Sequence, residues 1–386
     1  MAAVFRAPRK VVTGRGCSQE IGALAAELGM RRALVVIDPQ VRTAGVAEAA
    51  LASLGAAGLA LTLYEGVHSE PVLAFVDEAM DALRDGSGDG LVAIGGGSVI
   101  DTAKAAAALT TNGGRLPDYE GSDRFTRPGL PLIAVPTTAG TGSEVTRVAV
   151  VTDQGRGVKM MLMADTLLPT VAVDDPLLTV SAPPGATAAA GLDALTHAIE
   201  AYVSRRAQPL TDTLALAAIR AIVVCLPRAW RDGQDLEARE GMMIAQLQAG
   251  LAFSNSSVAL IHGMARPLGA HFGVPHGMAN AMLLPVVMRF SLPGATARYA
   301  AIGEAMGAGE PTEAQRAEGA VAVVERLARE LGVPSLARFG IDEAHFQRVK
   351  HQMARDALAS GSPANNPRTA TAEEIAALYD AAYSRA

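Results

Sequence analysis

At 386 residues the chain exceeds the usual size of one domain. Half of it is apolar and only 4% aromatic, so two substantial cores built from Ala, Leu, Val and Ile are expected. A formal charge of −6 with no long basic run argues against a nucleic-acid partner, and an anionic ligand would have to be held by local backbone N–H groups.

Cys17 and Cys225 lie far apart and suggest reduced thiols of a cytoplasmic protein rather than a disulfide framework. The opening MAAVFRAPRKVVTGRG lacks the uninterrupted apolar core of a signal peptide. No stretch is expected to reach the ~18 apolar residues that span a bilayer, so no membrane partner is expected.

In chain order, 33–38 reads as a strand, 44–54 as a helix, 59–64 as a strand and 71–84 as a helix. Residues 91–94 form a short buried strand, 98–109 an Ala-rich helix, and 132–135 a further strand. Such alternation implies parallel strands joined by crossover helices. After SAPPG (181–185) strand-like runs nearly disappear, and 186–203, 211–224, 236–252, 312–331 and 372–383 read as helices. The expected organisation is therefore an α/β domain with a parallel sheet over 1–180 and a helical domain over 181–386.

The strand 91–94 runs into Gly95-Gly96-Gly97-Ser98, with Asp101 three residues on. A strand, a glycine turn and a helix start make an anion site, because glycine admits close backbone approach and the helix dipole favours negative charge. Ser98 also suits the N-cap position, with Asp101 completing a capping box. The usual G-x-G-x-x-G spacing is absent. A second loop, 136–144 (PTTAGTGSE), follows the strand 132–135 and crowds hydroxyls and glycines where α/β sheets bind ligands, although Thr141 or Ser143 also suits an ordinary helix start. Asp38 closes its strand, where an acid takes ribose hydroxyls and repels the extra phosphate of NADP; a turn aspartate before Pro39 is the plainer alternative.

Four of the seven histidines fall between 197 and 276. Asp193 and His197, four apart in GLDALTHAIEAY, share one helix face, and His262 and His276 are each followed by glycine. One oxygen and three nitrogen donors suit Zn(II) or Fe(II) and leave a position for a substrate oxygen. His271 pairs with nothing on the helix and is left out. Glu200 extends the same face, where it reads as a solvated helix glutamate more readily than as a partner of a ligand.

The segments GGGSVIDTAKA, PTTAGTGSEVTRVAV, GLDALTHAIEAY, FSNSSVALIHGMARPLGAHFGVPHGMANAMLLP and NNPRTATAEEIAALY, in this order, resemble the iron-containing, group III alcohol dehydrogenase family over essentially the whole chain. The resemblance implies a dinucleotide-binding α/β domain, a helical domain, and an active site in the cleft between them. It implies Asp193, His197, His262 and His276 as ligands of Fe(II), sometimes Zn(II). It places Asp38, Gly96, Gly97, Ser98, Asp101, Thr137, Thr138, Thr141 and Lys159 around NAD, and Phe253 in the substrate pocket. A small alcohol or aldehyde substrate and a homodimer or larger homo-oligomer are likewise implied.

One departure stands out. Many relatives carry a histidine four after the third ligand, a candidate proton relay, where this chain has Arg266. Arginine stays charged and is a poor relay, which suggests either an anionic group on the substrate or a bracing role behind a ligand. The nearest rival function is a metal- and NAD-using lyase of the dehydroquinate synthase type; a non-catalytic nucleotide-binding protein of the same fold is the other.

Overall fold

The computed structural model describes residues 3–385. Its strands are β1 (Lys10–Thr13), β2 (Arg32–Ile37), β3 (Ala60–Tyr64), β4 (Gly90–Gly95), β5 (Gly121–Ser122), β6 (Leu132–Pro136), β7 (Val148–Asp153), β8 (Val158–Met163) and β9 (Val171–Asp174). Six of them form one sheet in the order β1-β9-β6-β4-β2-β3, with every neighbouring pair parallel.

Period-2 alternation explains why this sheet sits inside. Leu34, Val36, Leu91, Ala93, Leu132 and Ala134 enter one core, with residues of the helices Leu73–Asp85 and Gly97–Asn112. Ala33, Val35, Ile37, Val92, Ile94, Ile133 and Val135 enter the other, with the helices Ile21–Glu27 and Glu48–Ala56. Both faces of the sheet are covered, as parallel sheets require.

Strand order positions the loops. From β2 the chain moves outward to β3 and then crosses back to β4 on the other side of β2. The carboxyl ends of β2 and β4 therefore flank a topological switch point, the place where open α/β sheets bind ligands. Asp38 follows β2 and Gly95–Gly97 follow β4, and the Asp38 N–H donates to the Ile94 carbonyl at 3.3 Å.

Five strands, β1, β5, β7, β8 and β9, are absent from the sequence expectation; β1 and β9 join the six-stranded sheet, β5 lies alongside β8, and β7 and β8 pair antiparallel. Their buried residues Ala149, Val151, Met160 and Leu162 join the first core.

The chain divides into two compact units: Arg6–Pro183 with Gly233–Leu247, and a second holding Pro184–Asp232 and the chain from Gln248 on. Gln246 shows why the short segment from the second half goes with the sheet. Its Nε2 donates to Glu144 Oε1 and Asp174 Oδ1, both at 2.9 Å, while its Oε1 accepts from the Gly142 N–H at 3.0 Å.

The second unit is helical. Besides the expected elements it contains Leu260–Phe272, His276–Ser291, Thr296–Ala305 and Glu343–Ala359. The expectation that no stretch is long and apolar enough to span a bilayer needs one correction. The helix Pro209–Arg231, 23 residues long, meets that test on length and composition. Its apolar character has a packing reason on one face: Ala215, Ala218, Ile219, Ile222 and Leu226 are buried. Leu226 fills the space beside Gly191 of the helix Pro184–Val203, where a Cβ would lie 2.3 Å from Leu226 Cδ1.

Candidate metal centre and nucleotide loops

The helix Pro184–Val203 carries Asp193, His197 and Glu200 on one buried face. His262 lies in the first turn of Leu260–Phe272, and His276 opens His276–Ser291. Close approach is made possible by Gly277, because a Cβ there would meet the Ala189 carbonyl oxygen at 2.6 Å and Asp193 Cβ at 3.3 Å. The helix bearing His276 thus comes within reach of the carboxylate of Asp193.

Donor atoms of Asp193, His262 and His276 all lie within 4.8 Å of one another. Asp193 Oδ1 is 3.7 Å from His262 Nε2 and 3.9 Å from His276 Nε2. Neighbouring donors around a four- to six-coordinate divalent cation with bonds of ~2.1 Å stand roughly 3.0–3.5 Å apart, so the three need contract only slightly to hold one. Burial works against the Asp193 charge, yet His197, His276 and His262 hold its carboxyl well below the usual carboxylate range. The donor set and its spacing fit a divalent cation.

His197 adjoins this group. Its ring stacks on Phe253 with centroids 4.2 Å apart and on His262 at 4.5 Å. His271, near the other end of its helix, lies against Phe272.

Glu200 corrects the sequence expectation. It is 2% exposed, not solvated. Its Oε2 accepts from His262 Nδ1 and from the Ala259 N–H, both at 2.7 Å, and its Oε1 accepts from the Ile261 N–H. A carboxylate cannot donate, so Nδ1 of His262 carries the hydrogen; burial opposes a charged ring, but Asp193 and Glu200 raise its pKa to about 9, and Nε2 faces Asp193 and His276. Glu200 lies 59 residues from Ala259, so local sequence spacing could not reveal the contact. Arg266, one turn beyond His262 and half-buried, feels Glu200 as its nearby carboxylate; burial draws the guanidinium down and Glu200 acts against that.

Asn280 escaped the sequence reading altogether. Fully buried one turn after His276, its Nδ2 lies 2.7 Å from Asp193 Oδ1, 3.0 Å from His262 Nε2 and 3.3 Å from His276 Nε2.

In the sheet unit the glycine loop is arranged differently from the expectation. Gly96 is the N-cap of Gly97–Asn112 and no side chain caps the helix, so Ser98 lies inside it. Asp101 does not complete a capping box. It turns toward the second loop, accepting from Ser143 Oγ at 2.5 Å and the Val150 N–H at 2.9 Å. The buried Lys104 donates to Ser143 Oγ, Thr146 Oγ1 and the Val148 carbonyl at 2.8–3.0 Å.

Pairing of β4 with β6 brings the two loops together, with Gly95 opposite Pro136. A Cβ on Gly97 would crowd Thr141 at 3.0 Å, whereas one on Gly96 would find only Thr138, at 3.6 Å. The Thr137 N–H donates to the Gly95 carbonyl at 3.0 Å. Asp38 is the N-cap of Pro39–Thr43, accepting from the Gln40 and Val41 N–H groups through Oδ1 alone. Lys159 is ion-paired with Glu70.

A family model described as iron-containing alcohol dehydrogenase matches residues 8–176, and one for the C-terminal part of the Fe-containing alcohol dehydrogenase family matches 187–383. The chain is 39% identical over 377 residues to an NAD-dependent methanol dehydrogenase of Bacillus methanolicus, covering 97% of this chain and 98% of that one. A crystal structure of 1,3-propanediol oxidoreductase superposes with a TM-score of 0.95 at 37% identity, covering 99% of this chain and 100% of that one. The sulfoacetaldehyde reductase of Bifidobacterium kashiwanohense, solved with NAD+, gives a TM-score of 0.90 at 30% identity over 100% of both chains. Both halves of the chain match one family in the proper order, and relatives match it nearly end to end: the chain belongs to the iron-containing alcohol dehydrogenase family and is an oxidoreductase of that family.

Proposed function

We propose that this oxidoreductase passes a hydride between NAD(H) and the carbinol carbon of a small alcohol or the carbonyl carbon of the matching aldehyde or ketone, with Fe(II) or Zn(II) held by Asp193, His262 and His276 and with His197 as a further donor. The observation that carries the reading is the convergence of one buried carboxylate oxygen and two imidazole nitrogens within 4.8 Å. When bound, the cation supplies Lewis-acid polarisation of a carbonyl oxygen, and the nicotinamide supplies or takes the hydride.

The chain's own residues supply orientation and a dry surrounding. Glu200 holds Nδ1–H of His262, so that Nε2 is the nitrogen left to face a cation. Phe253 covers one face of His197 and keeps water from it. Gly96, Gly97 and Ser98 offer first-turn N–H groups to a pyrophosphate, and Asp38 is placed to take ribose hydroxyls. Thr137, Thr138 and Thr141 build the loop against which that phosphate would rest. Asp101 acts behind it by holding Ser143, and Lys159 is assigned to the cofactor side through the family resemblance.

The test is metal removal. Chelated protein is expected to lose NADH oxidation across a panel of aldehydes, and Fe(II) or Zn(II) to restore it; full activity in metal-free protein would overturn the reading. Turnover of simple alcohols with reduction of NAD also separates a dehydrogenase from a lyase. His262→Ala is expected to abolish turnover while NADH binding survives.

A second reading concerns Arg266. A half-buried cation one turn from His262 suits an anionic substrate group, and one structural neighbour is named for an anionic aldehyde. The charge of Glu200, however, acts on this guanidinium, which favours a role behind His262. With Arg266→Ala, bracing predicts equal losses of kcat/KM on a semialdehyde acid and its uncharged analogue, and anion binding predicts a loss of roughly tenfold or more on the acid alone.

Assembly as a homodimer or larger homo-oligomer and residence in the cytoplasm complete the proposal. Cys17 and Cys225, both thiols, support a reducing compartment, and light scattering tests the assembly.

A further inference from the structure

Asn280 is an odd choice for a fully buried position. Its Oδ1 has no hydrogen-bond partner, while its Nδ2 is surrounded by three acceptors. The orientation of the amide is fixed by chemistry: Asp193 Oδ1 can only accept, so the atom facing it at 2.7 Å must be the nitrogen. Nε2 of His262 lies 3.0 Å from the same nitrogen and accepts from it whenever the ring is neutral. The positive edge of one carboxamide is therefore directed at the same three donor atoms that a cation would engage.

We propose that Asn280 is a positioning residue that stands in for the cation in the metal-free protein. The two amide hydrogens keep Asp193, His262 and His276 at near-coordination spacing and neutralise part of the buried carboxylate charge until a metal takes over. Two observations support this beyond the contact itself. The orphaned Oδ1 is a cost that an apolar side chain of similar volume would avoid, so the amide is not there to fill the core. Asn280 also sits on the same helix face as His276, so both donor and stand-in move with one element.

The inference rests on reading the three donors as metal ligands, and the experiment separates the two. Thermal unfolding is followed for wild type, Asn280→Leu and the milder Asn280→Ser, each without metal and with saturating Zn(II), alongside calorimetric titration with Zn(II). If Zn(II) neither binds nor raises the wild-type Tm, the metal-site reading fails. If it does, the proposal expects the metal-free Tm of both variants to fall by roughly 4 °C or more while the zinc-loaded Tm stays near that of wild type, so the metal-induced shift widens. Equal falls with and without zinc would make Asn280 an ordinary core residue and overturn the proposal, as would no change in either form. Should Asn280→Leu not fold, Asn280→Ser is judged by the same difference.

Discussion

At the scale of single residues, one carboxylate separates what a side chain is from what it does. Glu200 sits three residues after His197 on a helix, where glutamate is ordinarily solvated, yet it caps two N–H groups of another helix and orients His262. Glu200→Gln keeps the volume but turns an N–H2 toward a donor, so a loss of about 10- to 100-fold in Zn(II) affinity is expected. Competition with a chromophoric chelator measures it, and unchanged affinity would remove Glu200 from the site. Lys104 makes a second residue-scale prediction. Its burial pulls the ammonium from the ordinary 10.5 down to about 8, with the Asp101 and Glu144 charges opposing. The unfolded chain therefore binds this proton more tightly than the native one, and between pH 8 and 10.5 stability rises with pH as the cost of the buried charge is relieved, by at most about 3 kcal/mol. Urea midpoints of wild type should climb across that window relative to Lys104→Met; parallel slopes would show that Lys104 does not titrate there.

At the scale of elements, the glycine loop shows which glycine is free and which is packed. Gly96 has ordinary backbone angles and room for a Cβ, whereas Gly97 lies tight against Thr141. Gly96→Ala should leave the Tm near that of wild type yet weaken NADH binding by roughly tenfold, about 1.4 kcal/mol, because the new methyl occupies the approach to the helix start. Fluorescence titration with NADH checks this; unchanged affinity would move the pyrophosphate elsewhere. Elements also explain what the sequence hid. The helices bearing His262 and His276 contain Pro267, Pro285, Gly263, Gly269 and Gly277, punctuation that reads as loop. Gly263 and Gly277 are there for contact: Cβ atoms would meet Pro363 at 2.7 Å and the Ala189 carbonyl at 2.6 Å. The hairpin β7–β8, by contrast, carried a legible signal, the β-branched run VAVVT followed by the turn-forming DQGRG.

At the scale of the molecule, each unit holds its own set of candidate groups: the phosphate loops with the sheet, the donor cluster with the helices. The two ligands should therefore protect different segments. In hydrogen exchange, Zn(II) is expected to slow Pro184–Val203 and the N-terminal turns of Leu260–Phe272 and His276–Ser291, and NADH to slow 95–101 and 136–144. Reversed protection patterns would contradict the assignment of ligand to unit.

Periodicity and punctuation alone determined the parallel α/β layer, the helical second half, the glycine turn after β4 and the grouping of Asp193 with His197, because each is set by neighbours within a few residues. Tertiary structure decided the rest. Strand order made the ends of β2 and β4 a switch point, and glycine-mediated helix contact brought His276 to Asp193. Glu200 acquired its role from residues 59 to 62 positions away, and Asn280 its contact with the carboxylate of Asp193 from 87 positions away. A hydrogen bond or a metal ligand depends on distance in space, and spacing along a chain reports that distance only within a single helix or strand.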